Sequence, residues 1–137
     1  LALVLDVTGS MSSSNKIGSL KSAAKDLLQI VFGGENSVEH LHVGIVPFTQ
    51  TVNVGSSRTG WLTGGVPSNW SGCVEMRSNG LDTSDKSISA ARFVALKSGA
   101  CPPGITPLTS SKQKLISAID KLTPDGGTNV NVGAVWG

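Results

Sequence analysis

The strongest constraint on the fold is an apolar strand, an amphipathic helix and a second apolar strand in the first third of the chain. LALVLDV, residues 1–7, is continuously apolar except for Asp6, which predicts a strand buried on both faces. Residues 16–32 carry apolar side chains at helical spacing and are followed by two glycines, which predicts a helix. HLHVGIVPFT, residues 40–49, predicts the second strand. Such a unit has a right-handed crossover and a parallel strand pair, so the predicted fold class is α/β.

The remainder of the chain is less regular. TQTVNVG, residues 49–55, predicts a third strand that returns after a tight turn. Residues 56–107 are rich in turn-forming residues and are interpreted as an insertion, within which residues 84–98 are predicted to form a helix. SSKQKLISAIDKL, residues 110–122, predicts an amphipathic helix that ends before PDGG.

Composition indicates one globular domain covering residues 1–137. Hydrophobic residues make up 39% of the chain and charged residues 15%, which is typical of a folded protein. The net charge of +2 is spread along the chain without a basic cluster interleaved with aromatic residues. We therefore expect no nucleic-acid partner. Apolar runs are also far shorter than the ~20 residues that span a bilayer.

Cys73 and Cys101 both lie in the predicted insertion. No CxxC motif or nearby histidine accompanies them, so a disulfide is favoured over a zinc site. A disulfide indicates an oxidising compartment. Two unrelated free thiols in a cytosolic protein are the alternative.

The loop after the first strand carries a candidate set of metal ligands. Asp6, Thr8 and Ser10 follow one another at two-residue spacing in DVTGSMS. Ligands of parallel α/β sheets bind at the carboxyl ends of the strands, where this loop is expected. Hard oxygen donors suit magnesium, manganese or calcium. One carboxylate with neutral hydroxyls would leave the ion positively charged and able to recruit an outside carboxylate.

These residues resemble a known family signature. DVTGS is similar to the D-x-S/T-x-S motif of the von Willebrand factor A (vWA) domain, whose metal-ion-dependent adhesion site (MIDAS) follows the first strand. The site's second part in that family is a threonine on a later loop, often in a GGT context, and Gly126-Gly127-Thr128 matches it here. The resemblance covers nearly the whole chain. It implies a Rossmann-like vWA fold with a central, mostly parallel sheet flanked by helices.

The same resemblance assigns roles to individual residues. It implies that Thr8 and Ser10 bind the metal through their hydroxyls, and that Thr128 binds it directly or through water. Asp6 would contact the ion mainly through water and orient the hydroxyls, while Gly9 would let the loop approach the ion. The implied ion is Mg²⁺, or Mn²⁺ or Ca²⁺, and no catalytic residue is implied.

A closer resemblance concerns four segments together with the cysteine-bearing insertion. The segments are VLDVTGSMS, VGIVPFTQTVNVG, PLTSSKQKLISAIDKL and GGTNVNVGAVWG. Their combination resembles the TadG-like proteins of bacterial tight-adherence pilus assembly. It implies a non-enzymatic adhesion module that binds an acidic side chain of a protein partner. It further implies a membrane anchor outside this chain and a location in the periplasm or at the cell surface.

One part of the family pattern has no counterpart in the sequence. The family's final acidic residue, usually in a TDG motif after the fourth strand, is absent from the 137 residues. We therefore expect a vWA domain that is incomplete at its C-terminus. We also expect weak metal binding, and exposed apolar surface where a further strand would lie.

Structural interpretations compete for several of the residues singled out. One of the serines at 12–14 is expected to cap the helix that begins at Lys16. Trp61 and Trp70 are expected to anchor loops over a core. His40 and His42 could form a metal pair, although solvated strand positions are the more ordinary interpretation.

Two other functions remain as alternatives to metal-dependent adhesion. A serine-dependent hydrolase would use Ser10 as nucleophile with His40 or His42 as base, although GxSxG is absent around Ser10. A structural scaffold with a non-functional metal site is the other alternative. The presence of Asp6, Ser10 and Thr128 argues against a decayed site.

Overall fold

The computed structural model describes residues 1–137 and is a mixed α/β structure. Its strands are β1 (Ala2–Asp6), β2 (Val43–Phe48), β3 (Val52–Asn53), β4 (Leu62–Thr63), β5 (Cys73–Val74), β6 (Phe93–Val94) and β7 (Thr106–Thr109). Its α-helices are α1 (Lys16–Phe32), α2 (Lys112–Asp120) and α3 (Val130–Trp136), and 3-10 segments cover Gly9–Asn15 and Thr59–Trp61.

A three-stranded sheet of order β1–β2–β7 forms the centre of the fold. β1 and β2 pair in parallel, with Leu3 opposite Ile45, and α1 connects them. The predicted strand–helix–strand unit is therefore confirmed, as is the α/β class. β7 runs antiparallel to β2, so the sheet is mixed, with one parallel and one antiparallel pair, rather than mostly parallel.

One face of this sheet packs against α1 and α2. Alternate residues of β1 and β2 point into this core and meet buried side chains of both helices. The shared buried cluster comprises Leu3, Leu5, Val7, Ala24, Leu28, Phe32, Val43, Ile45, Leu115, Ile119 and Leu122. The helices predicted at 16–32 and 110–122 are therefore confirmed, because their apolar stripes cover this face.

The prediction that the first strand is buried on both faces is wrong. Leu3 and Leu5 are buried, but Val4, between them, is 38% exposed. β1 lies at an edge of the sheet, and α3 covers only part of the face on which Val4 lies. β2 is buried along its whole length because it is the central strand and both of its faces pack against buried clusters.

α3 and the insertion cover the second face. Val46 and Phe48 of β2 share a buried cluster with Val132 of α3 and with apolar residues of the insertion. α3 approaches closely because position 133 is a glycine, and a Cβ there would lie 2.6 Å from the ring of Phe48.

Both tryptophans of the insertion anchor it to this core, as predicted. The ring of Trp61 stacks on that of Trp136, with centroids 6.1 Å apart. Trp70 is buried and donates its indole N–H to the Cys73 carbonyl at 2.6 Å.

The helix predicted over residues 84–98 is wrong, since only turns and the two-residue strand β6 occur there. The buried guanidinium of Arg77 instead donates to the carbonyls of Ser84, Lys86 and Ala91. It also lies over the ring of Phe93, 4.8 Å from the centroid. The segment therefore surrounds the guanidinium of Arg77. Its carbonyls accept hydrogen bonds from this cation, and in a helix they would instead accept from N–H groups of the same helix.

The strand predicted over residues 49–55 is present as β3, but it does not return along β2. β3 pairs antiparallel with β5 of the insertion, so that Val52 lies opposite Val74. In β5, Cys73 forms a disulfide with Cys101, and the two Cα atoms are 5.7 Å apart. The disulfide predicted from the sequence is thus formed in the structure, and it joins β5 to the end of the insertion.

Side-chain hydrogen bonds stabilise the start of α2 and the C-terminal end of α1. Ser111 caps α2 by accepting a hydrogen bond from the Lys114 N–H. The buried Lys112 extends to the C-terminal end of α1 and donates to Gln29 and to the Gly33 carbonyl. None of the helices is both long and apolar enough to cross a membrane.

Candidate metal site

The loop after β1 brings three of the predicted ligands together. Asp6 accepts a hydrogen bond from the Thr8 N–H through Oδ1 at 2.9 Å, which turns the chain back over the carboxylate. The Thr8 and Ser10 hydroxyl oxygens are 3.2 Å apart. Thr8 is almost fully buried, with 1% of its surface exposed. Two hydroxyl oxygens and one carboxylate thus lie within one short turn.

The loop that contains Thr128 lies directly against this turn. The Gly9 N–H donates to the Gly126 carbonyl at 2.8 Å, and the Asp125 N–H donates to the Val7 carbonyl at 2.9 Å. Thr128 follows two residues after Gly126, is exposed and makes no hydrogen bond through its hydroxyl. Two segments that are more than a hundred residues apart in sequence are therefore joined by main-chain bonds at the site.

Close approach of the two loops depends on small residues. A Cβ on Gly9 would lie 3.1 Å from the Gly126 carbonyl oxygen, and a Cβ on Gly126 would lie 2.4 Å from that of Ala100. The close contact of Gly9 is with the second loop, and its predicted approach to an ion stays a prediction.

A third loop, after β2, also contacts the candidate site, although the sequence pattern did not predict it. The Thr49 carbonyl accepts the Asn129 N–H at 3.0 Å, and the Thr51 hydroxyl donates to the Ala100 carbonyl at 3.1 Å. Both threonines are buried. The predicted parallel pairing of β1 and β2 could have indicated this loop, because the loops that follow two parallel strands meet at the same edge of the sheet.

The donor set at this edge has the chemistry of a hard-cation site. Its candidate donors are the carboxylate of Asp6 and the hydroxyls of Thr8, Ser10 and Thr128, without thiolate or imidazole. No cluster of three or more His, Cys, Asp or Glu side chains occurs in the structure. Oxygen donors that include neutral groups fit Mg²⁺, Mn²⁺ or Ca²⁺ rather than zinc or copper.

Asp125 adds a second carboxylate near these donors. It is exposed, and its Oδ1 accepts the Gly126 N–H at 2.7 Å. This bond shapes the turn that presents Gly126 to Gly9. Asp125 therefore organises the second loop through its side-chain carboxylate.

The prediction that one of the serines at 12–14 caps α1 is wrong. The cap position is Asn15, in a left-handed conformation and without a side-chain capping bond. Ser12 and Ser13 instead donate to the carbonyls of Gly9 and Ser10 at 2.7 and 3.0 Å. These hydroxyls stabilise the 3-10 segment that follows the ligand turn, because they lie one turn after their acceptors.

His40 and His42 lie far from this edge of the sheet. Both precede β2 and are exposed, and the His42 carbonyl accepts a hydrogen bond from the amino group of Leu1 at the start of β1. Ser10 lies beyond the opposite end of β1, and a strand of this length spans about 15–20 Å. The pair of Ser10 and histidine that a hydrolase would require is not formed.

Comparison with models of known protein families, with curated proteins and with solved structures found no match.

Proposed function

We propose that this chain forms a vWA-type domain that binds a divalent cation and, through it, an acidic side chain of a protein partner. Thr8 and Ser10 bind the ion through their hydroxyls. Asp6 orients these hydroxyls and balances part of the charge, and Thr128 completes the set from the second loop. The domain acts as a binding module without catalysis.

The observation that carries this proposal is the union of the two motifs at one edge of the sheet. The bond from the Gly9 N–H to the Gly126 carbonyl joins the DVTGS turn to the GGT loop. This edge is the carboxyl end of the parallel pair β1 and β2, where α/β sheets bind their ligands. An ion held by few charges retains a net positive charge, so an incoming carboxylate is its natural additional ligand.

The proposed setting is bacterial pilus assembly or surface attachment. The whole protein would be similar to the TadG-like family and would be tethered to a membrane by a segment outside this chain. The disulfide between Cys73 and Cys101 supports a periplasmic or cell-surface location, since such bonds persist in oxidising compartments.

Metal binding is tested by titrating the chain with Mn²⁺ or Mg²⁺ in a calorimeter. We expect Asp6→Asn and Ser10→Ala each to weaken binding by roughly tenfold or more, which corresponds to about 1.4 kcal/mol. Asp26→Asn and Ser22→Ala are matched controls. They make the same chemical changes at exposed positions of α1, away from the candidate site. Equal affinity in wild type, Asp6→Asn and Ser10→Ala would refute the site.

Partner binding is tested with an immobilised acidic peptide, with and without Mn²⁺. We expect capture only with the ion, and loss of capture in Asp6→Asn.

Hydrolysis of an ester or phosphate substrate that Ser10→Ala abolishes would instead favour the hydrolase. The absence of a histidine beside Ser10 argues against that outcome.

A further inference from the structure

An open cleft lies between α2 and the segment that leads into β7. It has a volume of about 410 Å³, within the range of small-ligand sites. Gln113, Ser117 and Lys121 line it from α2 or its C-terminal end, and Thr106 lines it from β7. None of the four candidate metal ligands lines this cleft.

The electrostatic character of the cleft is positive. Lys114 and Lys121 both line it, and no acidic residue does. Ion pairs in the structure join Lys25 with Asp120 and His40 with Glu39, so neither cleft lysine has an acidic partner. Lys114 lies in α2, and Lys121 directly follows its last residue. Seven positions are close to two helical turns, so the two Cα atoms are about 10 Å apart along the helix axis.

Neutral hydrogen-bonding groups lie among these charges. The Gln113 amide and the Ser117 and Thr106 hydroxyls can each donate to an acceptor oxygen. Pro47 and Pro103 form part of the walls and have restricted backbones. The lining thus combines two cations without acidic partners, neutral donors and, apart from the prolines, a single hydrophobic residue, Ala118.

We infer that this cleft binds a small polyanion, a molecule with at least two phosphate or carboxylate groups, and does so independently of the metal site. Two ammonium groups that line one cleft can neutralise two acidic groups of one ligand. The hydroxyl and amide donors satisfy its remaining oxygens.

The inference is tested by titrating the whole chain with inorganic tripolyphosphate and, separately, with citrate. The buffer is passed over a chelating resin first, and its ionic strength is kept near 0.05 M, because salt screens exposed charges. We expect saturable binding of at least one probe. Tripolyphosphate binding without citrate binding would assign a phosphorylated ligand, and the reverse would assign a polycarboxylate.

Variants separate this cleft from general charge attraction. We expect Lys114→Ala/Lys121→Ala to weaken binding about tenfold or more. Lys86→Ala/Arg92→Ala removes the same charge from exposed positions of the insertion and should leave binding within about twofold. Ser117→Leu should weaken binding without changing charge, because it narrows the cleft. No saturable binding of either probe, or equal weakening in both double variants, would overturn the inference.

Discussion

Gly126→Ala is the substitution that most directly tests how the two loops are joined. Gly126 has a φ of +69°, a conformation that L-residues adopt only with strain. An added Cβ would also lie 2.4 Å from the Cβ of Ala100. Ala100 has little freedom to move, because its carbonyl accepts the Thr51 hydroxyl and its neighbour Cys101 is in the disulfide.

The expected cost follows from these two contributions. Left-handed backbone costs an L-residue roughly 1–2 kcal/mol. Forcing a methyl group into a filled space costs typically about 1–3 kcal/mol. We therefore expect Gly126→Ala to lower the free energy of unfolding by about 2–5 kcal/mol.

Gly127→Ala is a matched control for the same loop. Its φ is not in the left-handed region, and its Cβ would meet only the side chain of Gln50, whose Oε1 would be 2.9 Å away. Gln50 is exposed, so its side chain can move aside. We expect a change within about 0.5 kcal/mol.

Urea unfolding followed by tryptophan fluorescence measures both free energies. Mn²⁺ titration of the folded proteins then reports on the site, and Gly126→Ala should bind more weakly because its carbonyl is displaced from the Gly9 N–H. If Gly126→Ala and Gly127→Ala have equal stability and equal Mn²⁺ affinity, the described contact between the loops is wrong.

Two further predictions concern the insertion. Replacing both cysteines, as Cys73→Ser/Cys101→Ser, should lower the free energy of unfolding by about 3 kcal/mol, because the bond closes a loop with a sequence separation of 28. Urea unfolding under non-reducing conditions measures this, and identical curves with and without dithiothreitol for the wild type would contradict it. Arg77→Met should cost about 2–4 kcal/mol, because three backbone carbonyls lose a charged donor in a buried setting. The exposed Arg92→Met is its control, and thermal unfolding that is equal in the two variants would refute the role of Arg77.

Local sequence patterns were sufficient to predict the elements with a strong period. α1 was predicted with its observed bounds, because its apolar stripe is continuous and two glycines follow it. α2 was predicted from the same kind of stripe and begins after the cap Ser111. The parallel pair of β1 and β2 followed from the length of the connection between them.

The insertion could not be predicted in the same way. The composition of residues 84–98 is compatible with a helix. Carbonyls of this segment instead accept hydrogen bonds from Arg77, a residue outside the segment. β3 has the pattern of a strand but pairs with β5, with paired residues 20 and 22 positions apart in sequence. Both outcomes depend on long-range partners that no local window contains.

The sequence by itself determined the candidate donors and their order. Asp6, Thr8 and Ser10 place oxygen donors at two-residue spacing in the loop after a strand. Only the tertiary structure decided that Gly126 meets Gly9, and that Thr49 and Ala100 support the second loop. The physical reason is that these contacts are main-chain hydrogen bonds and van der Waals packing between segments distant in sequence. They leave no periodic pattern, and they form only when the parallel strands bring their carboxyl ends to one edge.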